Sequence, residues 1–133
     1  MDYFKEAFGG FNPQLDEDAA LKFALDVVFA DHRLRDLIRV ISFEQGVGGI
    51  EGEPGWMIEH REEKDINGYE EWPKNATFRS RIDPEFYSLA HPEFYCDGST
   101  FRRYVEAISD VFAVRHPERK QELDLLRATI SRL

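Results

Sequence analysis

An α+β domain is predicted, with N-terminal helices, a central antiparallel sheet and two C-terminal helices, and three features of the chain predict it. Residues 17–43 and 99–133 space their apolar side chains at i, i+3, i+4 and i+7, as helices with one buried stripe do. Between them, from Trp56 to Cys96, short aromatic or apolar patches alternate with turn residues, which is the texture of strands. No repeat, low-complexity tract or long linker divides the 133 residues, so a single domain is expected over residues 1–133.

Residues 3–11 read as a short amphipathic turn, set apart by Pro13. Asp16, Glu17 and Asp18 then place negative charge at the positive end of a helix over residues 17–30, whose apolar stripe is Ala19, Phe23, Val27, Phe29 and Ala30. Asp31 is positioned to cap the next element, where Leu34, Leu37, Ile38 and Ile41 fit the helical template. Residues 37–43 also form a β-rich run, and helix is the preferred reading over residues 33–43. Five glycines between Gly46 and Gly55, together with Pro54, read as a flexible connector.

Strands are expected over residues 56–60, 76–82 and 86–96. Asn67-Gly68 forms a turn, while Pro73, Pro84 and Pro92 limit strand length. Ser99 is the expected N-cap of a helix bearing Phe101, Tyr104, Val105, Ile108, Val111 and Phe112. Pro117 suits the first position of a last helix bearing Leu123, Leu126, Ile130 and Leu133.

The formal charge of −9 argues against nucleic acid as a direct partner, because affinity for phosphate backbones comes from Lys and Arg displacing counterions. It argues against an anionic membrane for the same reason, and no apolar run approaches the roughly 20 residues that span a bilayer. The opening residues lack the basic-then-apolar plan of a secretory leader and the single Cys96 has no internal disulfide partner, so a cytoplasmic location is expected.

Enzymatic motifs do not emerge, and no catalytic residue, metal or cofactor is expected. The glycine segment has Glu51 where a dinucleotide fingerprint needs its third glycine, and no Lys-Ser/Thr pair follows. His60, among Glu59, Glu62 and Glu63, has no second histidine at a zinc-type interval and reads as part of a solvated, charged strand end. Cys96, between aromatics and the end of a strand, reads as a small buried hydrophobe. A small enzyme using His60 or Cys96 is the weakest of three readings.

Charge is distributed unevenly. Residues 51–71 carry eight acids against two bases, net −6, whereas residues 100–133 are net +2. Glu51, Glu53, Glu59, Glu62, Glu63, Asp65, Glu70 and Glu71 interleave with Trp56, Tyr69 and Trp72. Aromatic anchors ringed by charge suit a protein interface, with charge accelerating encounter and rings supplying desolvated contact area. These eleven residues form the expected partner-binding set, and the partner is expected to be basic. Packing of one or both tryptophans in the core is the competing reading.

The acidic single domain, the two N-terminal helices ending in a glycine-rich loop, the middle sheet and the stretch EFYCDGSTFRRYVEAISDVFAVRHPERKQELDLL together resemble immunity proteins of bacterial contact-dependent growth inhibition systems, especially those that oppose ribonuclease toxins. That resemblance implies a protein that is not an enzyme and that neutralises a cognate toxin nuclease by covering its basic, RNA-binding cleft. It brings no catalytic residues, and contact positions in such pairs vary too much to transfer. A general acidic interaction module for another basic protein is the alternative.

Overall fold

The computed structural model describes residues 2–53, 55–62 and 67–133. Its α+β architecture agrees with the predicted class: helices on one face of a four-stranded antiparallel sheet, in the strand order β1-β2-β3-β4.

The chain opens with α1 (Phe4–Phe8), stopped by Gly9 in the left-handed region at φ 75°. Helix α2 (Ala19–Ala30) follows the acidic residues 16–18, two of which, Asp16 and Asp18, pair with Lys22. Its buried side is wider than the expected stripe and rotated from it. Ala20, Leu21, Ala24, Leu25 and Val28 are fully buried, while Phe23 and Val27 are half-buried and Ala30 is exposed. The cause is its central position, since α2 contacts the sheet as well as neighbouring helices.

Helix α3 (Leu34–Ser42) settles the ambiguity at residues 33–43. Leu34, Leu37, Ile38 and Ile41 are buried on one side as the spacing requires, so periodicity outweighs the local β-branched content. Phe43 leaves the helix in the left-handed conformation, and Gln45 and Gly46 share positive φ.

The glycine segment is not simply a connector: Gly49–Gly52 forms β1, paired with β2 (Trp56–His60). Strand β3 is Phe78–Ile82, two residues shorter than expected at its start. Strand β4 is confined to Glu93–Cys96, because residues 86–87 turn back on Asp83, whose carbonyl accepts from the Phe86 and Tyr87 amides, and Ala90 bonds to Pro13.

Helix α4 (Gly98–Arg115) is capped by Asp97 and not by Ser99. An Asp97 side-chain oxygen accepts from the Thr100 amide at 2.7 Å, and Ser99 lies inside the helix. Pro117 opens a 3₁₀ turn, Pro117–Arg119, from which α5 (Lys120–Ile130) continues. Inward residues of all four strands pack against the helices, with Trp56, Ile58, Phe78, Ile82 and Phe101 among the most deeply buried. Phe43, His60, Phe78 and Phe101 form one column of stacked rings, with successive centroids 4.2, 4.0 and 3.8 Å apart.

Candidate protein-docking face

Strand alternation sends Trp56, Ile58 and His60 inward from β2, and Met57 and Glu59 outward. Registration with the neighbouring strands then produces two rows across the outer face. One runs Glu51, Met57, Arg81, Glu93, and the other Gly49, Glu59, Arg79, Tyr95. All eight outer positions are half-buried or exposed, so among the described residues this face is left uncovered by helix.

Arg79 organises its centre. The guanidinium lies 3.3 Å from Glu59 and 3.4 Å from Glu93, with its carbon 6.0 Å from the Tyr95 ring centroid. These are ion pairs by distance, yet Glu59 Oε1 and Arg79 Nε are buried atoms without a hydrogen bond in good geometry. The separations therefore report Coulomb attraction, and the alignment needed for strong charge-assisted bonds is missing. Tyr95 donates its hydroxyl to Glu93 at 3.0 Å, and burial followed by that carboxylate raises the phenol above its ordinary pKa.

The long connection between β2 and β3 brings two predicted aromatics onto this face, Trp72 beside β4 and Tyr69 over β1 and β2. Tyr69 meets Trp72 edge to face at 4.9 Å, and Trp72 meets Tyr95 in the same way at 5.5 Å. Arg61 lies over Trp72 at 5.8 Å. Trp72 and Tyr69 are half-buried, held by neighbours while keeping surface for a partner.

The predicted set is thus divided. Glu51 and Glu59 stand on the outer sheet face, Glu53 is exposed at the β1–β2 turn, Glu62 is exposed just after β2, and Glu70 and Glu71 are exposed beside Trp72. Glu63 and Asp65 lie outside the described residues. Trp56 is a correction: at 1% exposure it belongs to the core, because it occupies an inward position of β2, and its outer side is closed by Arg33 at 5.2 Å from the ring centroid.

Reasoning on the acidic stretch alone missed Tyr95, Glu93, Arg79 and Met57. Period-two alternation in Phe78–Ile82 carries the signal for Arg79 and Arg81, and the register of that strand with Trp56–His60 and Glu93–Cys96 brings Met57, Glu93 and Tyr95 to the same side.

The two side chains considered for catalysis lie elsewhere. His60 is buried between Phe43 and Phe78, not solvated, and its Nδ1 lies 3.0 Å from the Val40 carbonyl oxygen. A carbonyl only accepts, so Nδ1 carries the proton, and burial holds the imidazole below its ordinary pKa. Cys96 is buried at the end of β4, its thiol pushed up to about 12, first by burial and then by Asp97. That environment opposes a thiolate nucleophile. No helix among the described residues is long and apolar enough to cross a membrane.

Comparison with protein-family models, with curated proteins and with solved structures finds no match for this chain.

Proposed function

We propose that this protein is a cytoplasmic immunity protein that binds a cognate toxin nuclease, a ribonuclease in the first instance, and covers its basic substrate cleft. The observation that carries this reading is the outer sheet face, left uncovered by helix among the described residues, where Tyr69, Trp72 and Tyr95 adjoin in series within a frame of carboxylates. The family resemblance of the sequence supports it.

Physical chemistry favours the match. A ribonuclease presents cationic groups to RNA phosphates, so a surface with exposed Glu51, Glu62, Glu70 and Glu71 can stand in for that polyanion. The half-buried rings supply the contact area that fixes register, since Trp and Tyr at the centre of an interface carry a large share of its energy. Chemistry on a substrate is not required of this surface.

Calorimetric titration against the C-terminal domain of the protein encoded immediately upstream, at two salt concentrations, tests the reading. One-to-one binding that weakens with salt and abolishes nuclease activity is expected. Truncation of Trp72 to Ala should cost about 2 kcal/mol or more, close to thirtyfold in Kd. Absence of binding, or affinity unchanged after Glu62, Glu70 and Glu71 are all reversed to Lys in a folded protein, would overturn it.

A further inference from the structure

We infer that Arg61 is a positioning residue of the docking face: its guanidinium joins the two ends of the connection between β2 and β3 and holds the Trp72 ring in place before a partner arrives; the inference rests on the proposed function. Arg61 directly follows β2, and its amide donates to the Thr77 carbonyl at 2.9 Å, which closes the base of that connection. Its side chain is buried at 6% exposure, although Glu62, Glu70, Glu71 and Lys74 nearby are exposed.

The two terminal nitrogens of Arg61 serve different places. Nη1 donates to the Glu62 carbonyl at 3.4 Å and Nη2 to the Lys74 carbonyl at 3.3 Å, so one planar group ties the beginning of the connection to its end. The guanidinium carbon also lies 5.8 Å from the Trp72 ring centroid. Both hydrogen bonds are at the long end of the range, so the hold is the joint one of two carbonyls and a ring. Trp72 in turn meets Tyr69 and Tyr95 edge to face, and its amide donates to the Tyr69 carbonyl at 3.0 Å, so fixing Trp72 fixes the series of three rings.

Charge alone gives Arg61 the wrong sign for this surface. A cation within an acidic face opposes a basic partner, and by electrostatics alone its removal should tighten binding. Positioning predicts the reverse, because rings ordered in advance spare the complex a loss of side-chain freedom that would otherwise weaken it. Lysine keeps the charge, but an ammonium on a flexible stem cannot bridge two carbonyls and lie over a ring at once.

The test uses the whole protein, its Arg61→Met, Trp72→Ala and combined variants, and the C-terminal domain of the protein encoded immediately upstream as the partner. Arg61→Met should weaken binding by about tenfold, the scale of ordering one or two side chains on association, and should bring no weakening in the Trp72→Ala background. In the free protein the heteronuclear NOE of the Trp72 indole N–H, which reports ps–ns motion, should fall in Arg61→Met. The Trp56 indole, in the core at 1% exposure, should keep its value and serves as the internal control. Arg61→Lys should change both readouts in the same direction, and it takes the place of Arg61→Met if that variant does not fold.

An unchanged Trp72 signal, tighter binding by Arg61→Met, or equal weakening in both backgrounds overturns the positioning role. Absence of toxin binding by the unaltered protein removes the immunity reading instead, and the indole signal then decides by itself whether Arg61 holds the rings.

Discussion

The imidazole of His60 lies parallel to the ring of Phe78, with centroids 4.0 Å apart and planes 5° apart, and Phe43 stacks on the opposite side. Burial in this column disfavours the charged ring and sets its folded pKa below the unfolded value of 6.5, against smaller opposing effects from the Val40 carbonyl and Glu62. Between the two values the unfolded chain binds more protons, so stability from this group is complete above about 6.5 and is lost as pH falls towards the folded value. Urea midpoints measured from pH 7.5 to 5.5 should therefore decline, and His60→Phe, which keeps an aromatic ring in the column, should flatten that decline. An unchanged slope would show that another group governs it.

Cys96 should be inert in the native protein. With its thiol pushed up to about 12 and its side chain buried, almost no thiolate is present at pH 8. Alkylation by iodoacetamide is expected to follow global unfolding, accelerating by orders of magnitude in denaturing urea. Rapid native labelling would contradict the burial at the end of β4.

Local signals were legible where one period dominated. Leu34, Leu37, Ile38 and Ile41 identified α3 despite the competing β-rich reading, and Phe101, Val105, Ile108 and Phe112 identified α4. Boundaries set by tertiary contacts were not. Nothing local indicates that Ala90 bonds to Pro13 and that β4 therefore begins only at Glu93, or that Gly49–Gly52 finds a strand partner in β2. For the candidate site, Tyr69 and Trp72 were found from composition, whereas Tyr95 and Arg79 required strand register, because residues 16 or more apart in sequence meet only when β3 and β4 pair. Trp56 shows the converse: an aromatic flanked by acids in sequence is buried because one residue step along β2 reverses its face.

Asp97, and not Ser99, should determine the start of α4. Its side chain accepts from the Thr100 amide, which also holds the carboxyl below the ordinary carboxylate range. Asp97→Ala should destabilise by about 1 kcal/mol, the usual cost of losing an N-cap acceptor, while Ser99→Ala should be close to neutral. Denaturant unfolding of the two variants distinguishes these assignments. A reversed ranking would place the cap two residues later.

Gly52 cannot accept a side chain without displacing a neighbour. A Cβ there would come within 2.7 Å of Trp56 Nε1 and 2.8 Å of both Trp56 Cε2 and Arg33 Nη1, so the indole or the guanidinium must move. Overpacking of this kind costs about 1–3 kcal/mol. Gly48→Ala meets only the His60 carbonyl oxygen, at 3.4 Å, and should be much milder. In a Trp72→Phe background Trp56 is the sole tryptophan, and its emission should shift to longer wavelength in Gly52→Ala as the ring is displaced from its buried seat. Unchanged emission together with unchanged stability would mean that the indole does not rest against Gly52, and the burial that removes Trp56 from the docking surface would lose its main local support.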